Sequence, residues 1–306
     1  MDQMRMFLRA SRFYVLPAIL IPVILGSVAA YTWTGEFHPV LLLITLLGSA
    51  AAHLFSNMIN DLWDYRNGVD DAAKETAQAI STNSGFLTKG IYSEKKFAFY
   101  TWLLFFVALL CGIALAVATD ALVLIFAVLG ALIAYFYVAP PIKFGYRGKG
   151  YSEIGIFLAF GAIPVMGSYY VQAGHINWEV FLISCPVGIL TTLILFNHHF
   201  LHWRADEASG KRTLVVVWGE ERALKFSMAL AILAYVTLIA GVLFGALHWL
   251  ALTGLLTAIP LANKYKVMKP VNPSEAYLPL MKGALDAVLS CGLVMIASLL
   301  IQAWFL

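Results

Sequence analysis

His53, Asn57, Asn60, Asp61 and Asp64 recur at i, i+4, i+7, i+8 and i+11, the last three opening the stretch 60–71 that also carries Gly68, Asp70 and Asp71. On a helix those five positions share one face. Two carboxylates and an amide side by side offer hard oxygen ligands, the set a divalent cation such as Mg²⁺ takes when it also bridges phosphates. A solvated loop would be rich in Asp and Asn as well, but it would not carry the polar stripe back to His53 and Asn57. A second polar stretch, 197–213, places Thr191, His198, His202 and Asp206 at i, i+7, i+11 and i+15, again one face if the helix is continuous. Lys211 and Arg212 follow Gly210 beside that acidic end. They suit an anionic ligand held by charge-assisted bonds, or alternatively lipid headgroups. His198-His199-x-x-His202 also raises zinc, since His198 and His202 stand one helical turn apart. With no Cys or further well-placed carboxylate nearby, and oxygen ligands in the first stretch, Mg²⁺ is the better match.

Both stretches close apolar runs, and the composition says what those runs are. Length alone would give 306 residues two soluble domains, but 61% of them are hydrophobic and 12% charged. With a mean hydropathy of +0.82, the chain reads as a bundle of helices crossing a bilayer whose hydrocarbon core is about 30 Å thick. The strict alternation of an outer-membrane barrel is absent. Nine spans are predicted, at 13–33, 38–59, 97–118, 120–139, 155–173, 178–199, 226–245, 247–263 and 283–304. Tight turns and long polar segments alternate between them, the long ones being 60–96, 140–154, 200–225 and 264–282. The two acidic ends are four spans apart, as in two four-helix halves around a central cavity.

Arg5, Arg9 and Arg12 precede the first span, and the other seventeen of the 20 Lys and Arg residues fall in the four long segments. The positive-inside rule makes that side cytoplasmic, with the N-terminus inside and the C-terminus outside a bacterial-type plasma membrane. The net charge of +3 therefore describes a cytoplasmic surface, and no nucleic-acid partner is expected. The first apolar run continues without a cleavage site and reads as a retained span. Cys111, Cys185 and Cys291 lie in apolar runs at irregular spacing and read as packing residues. A transporter would keep its polar site near the bilayer midplane, whereas these clusters sit at span ends.

The residues resemble the UbiA-type intramembrane prenyltransferases. Asn60-Asp61-x-x-Asp64-x-x-x-Gly68-x-Asp70 is similar to the family's first aspartate-rich motif, and Asp206-x-x-x-Gly210-Lys211-Arg212-Thr213 to the tail of its second. Pro140-Pro141-Ile142-Lys143, Glu153 and Gly167-Ser168-Tyr169-Tyr170-Val171-Gln172 resemble the naphthoate branch, which makes menaquinone or phylloquinone precursors. The resemblance covers most of the chain and implies a single nine-helix domain over 1–306, with 60–96 and 200–225 as its motif-bearing cytoplasmic segments. It implies Mg²⁺ held by Asn60, Asp61, Asp64 and Asp206, with Asp61, Asp64 and Asp206 catalytic. Arg66, Lys143, His202, Lys211, Arg212 and Asn60 would bind substrate, a polyprenyl diphosphate. One departure stands out: the position four before Asp206, an Asp in the usual second motif, is His202, and His198 and His199 replace the branch's paired Asn residues.

The implied reaction is ionisation of the allylic diphosphate followed by attack of an electron-rich ring, most closely 1,4-dihydroxy-2-naphthoate, on the carbocation. Other acceptors of the family, 4-hydroxybenzoate, a tetrapyrrole or a glycerol phosphate, stay open. Aromatic faces can stabilise the cation, and Trp63, Tyr65, Tyr135, Tyr137, Phe144 and Tyr146 are candidates at the cytoplasmic end. Small residues such as Gly26 and Ala30 would let helices approach closely beside membrane lipid. Nothing in the spacing fixes an oligomeric state.

Overall fold

A computed structural model describes residues 3–68 and 84–305; Asp70 and Asp71 of the first motif lie outside them. Among the described residues the chain is all-helical, apart from one isolated bridge between Arg147 and Arg212. A short helix α1 (Gln3–Ala10) leads through Arg12, in the left-handed region at φ 56°, into α2 (Pro17–Thr34). Then come α3 (Pro39–Arg66), α4 (Glu94–Ala118), α5 (Val123–Phe136) and α6, which runs over Tyr151–Ala173. The second half holds α7 (Trp178–His199), two short helices α8 (Trp203–Ala208) and α9 (Leu214–Trp218), and α10 (Glu220–Leu243). A 3₁₀ segment (Trp249–Thr257) runs into α11 (Ala258–Lys266), and α12 (Leu278–Phe305) ends the described chain.

Seven of the described helices are long and apolar enough to cross a membrane, from Phe13–Thr34 to Ser274–Phe305, and α5 is a shorter apolar helix. The chain is an integral membrane protein. Its outer surface is apolar as lipid contact requires: Phe99, Leu103, Phe106, Leu110 and Val117 are all exposed along one face of α4. The core gathers instead around α7, 72% of whose most apolar window is buried against 28% for α4. It packs against α6, α10 and α12, while α3 packs on α4. Close approach depends on missing side chains. A Cβ on Gly161, in a π-helical turn of α6 (Leu158–Ala162), would fall 2.7 Å from the Cα of Gly188 on α7. Pro164, which has no N–H to donate one turn back, stands two residues past the end of that widened turn. Gly26 of α2 likewise lies against the Val165 carbonyl.

The ends of the bundle differ. At one end are tight turns with Gly35, Gly174 and Gly245 at positive φ, which end helices without steric cost. His38 and Gln172 exchange hydrogen bonds there, N to Oε1 at 2.7 Å and Nε2 to O at 3.2 Å. At the other end the long polar segments meet one another. Starting at Pro39, whose missing N–H is an orphan anyway at a first turn, α3 spans 28 residues. That is about 42 Å at 1.5 Å per residue, well beyond the ~30 Å hydrocarbon core. Its last turns, with Asn60, Asp61 and Asp64, therefore stand at the polar end still in helical register, past the residue-59 limit expected for that span. The second stretch behaves differently. α7 stops at His199, and His202, at φ −141°, is a non-helical residue before α8. The single continuous face expected through Thr191, His198, His202 and Asp206 is thus broken by a turn whose Phe200 and Leu201 are buried, Phe200 stacked on Tyr277 at 4.3 Å.

Candidate active site

The two acidic stretches converge on one ammonium. Lys211 Nζ stands 3.7 Å from Asp64 Oδ2 and 3.7 Å from Asp206 Oδ1. Thr213 caps α9 by accepting from Val216 N, and the backbone of Lys211 turns back to donate to Asp206 O at 2.8 Å. Those two local bonds fold 206–213 into a compact hook that returns the lysine to its own acidic helix. The hook is fastened to a third segment, since Arg212 N donates to Tyr146 O at 3.0 Å. The Tyr146 hydroxyl in turn donates to Asp64 Oδ1, and Lys211 Nζ lies over the Tyr146 ring, 5.1 Å from its centroid.

Asp206 and Lys211 are buried and Asp64 and Tyr146 half-buried, and burial shifts the protonation of Asp206, Lys211 and Tyr146. Asp206, fully buried, is pushed up to about 7 chiefly by desolvation, against the pull of Lys211 and with a further push from Asp64. Burial works against the Lys211 ammonium, but Asp206 and Asp64 outweigh it and hold it well above an ordinary lysine. Burial and the Asp64 charge raise the Tyr146 phenol, so it stays a hydrogen-bond donor. His202 Nε2 lies 3.6 Å from Asp206 Oδ2, and burial, with Lys211 and Arg12 adding to it, lowers His202 to about 3. It is a neutral imidazole at physiological pH. Both carboxylate oxygens of Asp206 are buried without a hydrogen bond, an expensive arrangement unless a cation or donor enters.

The other expected residues divide into those near this cluster and those that are not. Lys143, in the left-handed region at φ 43°, donates from Nζ to Asn67 Oδ1 at 2.7 Å, and Asn67 Nδ2 lies 3.4 Å from the Tyr146 hydroxyl. Lys143 thereby joins the Asp64 side of the cluster. Asp61 faces another way: the Arg12 guanidinium donates to its Oδ1 and Ser84 N to its Oδ2 at 2.8 Å. Asn60 is half-buried in α3, and its side chain makes no hydrogen bond among the described residues. Arg66 is drawn outward, pairing through Nε with Glu94 Oε1 at 2.8 Å and lying over Trp63. Arg212 reaches the cluster only through its backbone, its side chain being exposed. Among the described residues no three His, Cys, Asp or Glu side chains converge closely enough to enclose a metal ion.

Several of these contacts have no signature in the sequence. Arg12 stands there only as one basic residue before an apolar run, Tyr146 only as one aromatic among several, and Ser84 and Asn67 as loop residues. Nothing periodic links them to Asp61 and Asp64. The histidines are packed together, with the His198 and His202 ring centroids 4.7 Å apart, and Tyr137 Oη is 3.5 Å from His199 Nε2.

The sequence model of the UbiA prenyltransferase family matches residues 19–304. The chain is 29% identical to the 1,4-dihydroxy-2-naphthoate octaprenyltransferase of Escherichia coli (strain K12), covering 97% of this chain and 96% of that one. It is 26% identical to the 2-carboxy-1,4-naphthoquinone phytyltransferase of Synechocystis sp. over 75% of this chain and 71% of the relative. A solved UbiA homolog from Archaeoglobus fulgidus bound to GPP and Mg²⁺ superposes with a TM-score of 0.66 at 18% identity, covering 95% of this chain and 99% of the other. An apo UbiA homolog from Aeropyrum pernix K1 gives 0.65 at 16% identity, over 94% and 97%.

Proposed function

The chain belongs to the UbiA prenyltransferase family, and on that premise we propose that it moves a polyprenyl group from an allylic polyprenyl diphosphate to 1,4-dihydroxy-2-naphthoate with the help of Mg²⁺. The observation that carries this reading is the shared position of Asp64 and Asp206 around Lys211. Two hard carboxylates a few ångströms from a buried ammonium suit a metal diphosphate: the acids would hold the cation and the lysine a phosphate oxygen. The unsatisfied oxygens of Asp206 fit that group. Mg²⁺ characteristically uses only one or two carboxylates and completes its shell with water and substrate phosphate, so a preformed three-acid cage is not required. When bound, the metal supplies a positive charge that stabilises the departing diphosphate.

The chain's own groups account for the rest. Asp64 and Asp206 fix the head of the donor at the polar end of the bundle. Lys211, and Lys143 behind Asn67, neutralise negative charge as the allylic C–O bond breaks and its electron pair leaves with the diphosphate. Tyr146 keeps Asp64 oriented. The acceptor ring then gives its electron pair to the allylic carbon, and the ring proton leaves to restore aromaticity. An apolar surround keeps water from quenching the cation. Asp61, now bound by Arg12, and Asn60 beside it would hold metal or substrate, while Arg66 and Arg212, both exposed, would meet the diphosphate at the rim.

The naphthoate acceptor is supported by the relatives' names; Mg²⁺ by the archaeal homolog solved with GPP and Mg²⁺. Seven helices are long and apolar enough to cross a membrane; reading Val123–Phe136 and the 249–266 segment as two further crossings gives the nine-crossing single domain of this proposal. Because the spans read from the sequence leave all 20 Lys and Arg in the N-terminal and long polar segments, the positive-inside rule supports a site facing the cytoplasm of a bacterial-type plasma membrane. The deciding experiment incubates purified protein, Mg²⁺ and polyprenyl diphosphates with a panel of acceptors. A prenylated naphthoate product is expected; prenylated 4-hydroxybenzoate alone would overturn the acceptor.

A further inference from the structure

Between the 249–266 segment and α12 the surface opens into a cleft of about 260 Å³, lined among others by Leu256, Thr257, Lys264, Gly283, Asp286 and Ser290. None of these residues belongs to the candidate active site. Asp286 is exposed on α12, about two turns beyond Leu278, on a helix apolar enough to cross a membrane. A carboxylate within such a helix is uncommon and points to a function. Lys264, on the opposite wall, runs its stem across Gly283, where a Cβ would fall 2.5 Å from Lys264 Cδ. The side chains of Lys264 and Asp286 are not paired with each other, and neither side chain makes a hydrogen bond or salt bridge to any other described residue.

The cleft's hydroxyls are already committed. Ser290 Oγ donates to Asp286 O at 2.6 Å, and Thr257 Oγ1 donates to Gly254 O at 2.7 Å while meeting the Tyr235 hydroxyl at 3.0 Å. Selection therefore falls to one anion and one cation on facing walls, which call for a ligand carrying the opposite pair. The cleft is smaller than the roughly 300–1,000 Å³ pockets that enclose drug-sized molecules, so it takes a headgroup and leaves acyl chains outside among the lipid. Its level fits as well. The residue before α12, Tyr277, stacks on Phe200 and donates to Glu220 Oε2 at 2.7 Å, which puts this end of α12 beside the active-site end of the bundle.

We propose that this cleft is a binding site for a phosphatidylethanolamine-type lipid, its primary ammonium on Asp286 and its phosphate on Lys264. A primary ammonium has three N–H donors for a carboxylate; a choline headgroup has none, and a glycerol headgroup has no cation. The assignment rests on the fold alone and is independent of which donor or acceptor the enzyme uses.

Native mass spectrometry of the full-length protein, released from detergent with equal amounts of phosphatidylethanolamine, phosphatidylcholine and phosphatidylglycerol, tests it. The wild type retains the ethanolamine lipid about tenfold over the others, the worth of one charge-assisted bond. Asp286→Asn abolishes that preference, Lys264→Gln lowers retention of all three lipids, and Asp286→Lys shifts retention to phosphatidylglycerol. Gly283→Leu fills the cleft without altering a charge and lowers retention of the ethanolamine lipid, so the site stays testable if an Asp286 variant misfolds. Unchanged prenyl transfer shows that each variant is folded. Equal retention of the three lipids by the wild type, retention untouched by Asp286→Asn and Gly283→Leu, or a dimer that these substitutions dissolve would each overturn the proposal.

Discussion

Asp64, on the last turn of α3, and Asp206, on α8, face the same ammonium at the same 3.7 Å. Segments that the chain separates by four apolar helices thus end in one polar site. Like charges brought this close in a buried place repel, and Lys211 between them is what makes the approach tolerable.

Lys211→Gln should therefore do more than remove a substrate contact. Deleting one partner of a buried ionic cluster costs about 3–5 kcal/mol because the remaining charges are stranded. The variant is expected to melt well below the wild type and to lose at least about a hundredfold in turnover. Adding Asp206→Asn to it should restore part of the stability, because the uncompensated anion is gone. Thermal unfolding in detergent of the two single variants and the double variant checks this, and strict additivity would refute the shared-charge account.

Asp64→Ala and Asp206→Ala should each abolish Mg²⁺-dependent release of diphosphate, with losses on the order of 10²–10³ or more if each removes one arm of an electrostatic clamp. Full diphosphate release by either variant would take that residue out of the site. Asp61→Ala should be equally inactive if Asp61 gives up Arg12 to metal or substrate during the cycle.

The pH dependence has a definite sign. Asp206 is held at about 7 in the folded protein against an ordinary 3.8, so the folded state binds the extra proton between those values. Its contribution to stability is full below about 4 and disappears as pH rises through 7. Metal binding needs the anion, so apparent Mg²⁺ affinity should climb from about pH 6 to about pH 8. Melting curves and metal titrations across that range should show both trends, and Asp206→Asn should flatten the first. A wild type whose metal affinity is level over the range would contradict the assignment.

His202 is neutral and stands 3.6 Å from Asp206. If the imidazole occupies a ligand position, His202→Asp keeps measurable turnover and His202→Ala keeps less. The reverse order would show that the imidazole has a different task.

Glu220 receives four hydrogen bonds on its buried carboxylate: from Trp203 Nε1, Arg204, Asn272 N and the Tyr277 hydroxyl, at 3.1, 3.1, 3.1 and 2.7 Å. It ties α8, and so Asp206, to the start of α10 and to the approach to α12. Glu220→Ala should cost about 3–5 kcal/mol and Tyr277→Phe about 1–3 kcal/mol, in that order by thermal melt. Equal effects would mean that the carboxylate is not the hub.

Runs of apolar residues too long and too many for a soluble core demand membrane helices, because a bilayer leaves backbone polar groups no other partners. The placement of Asp61 and Asp64 on one polar helix end follows from helical periodicity, which survives wherever one helix continues, as α3 does to Arg66. The same reasoning fails at His202, where a buried turn at Phe200 and Leu201 interrupts the register; periodicity carries no information across a break.

Composition and local spacing are thus enough to specify the medium, the helical class and the two acidic ends. Which charges meet is settled by the folded chain: Arg12 with Asp61, Arg66 with Glu94, and Tyr146 and Lys211 with Asp64. Those pairings depend on how remote helices cross and how the hook at 206–213 folds back. A pair of opposite charges leaves no mark in a single chain when many residues separate its members and either could find another partner nearby.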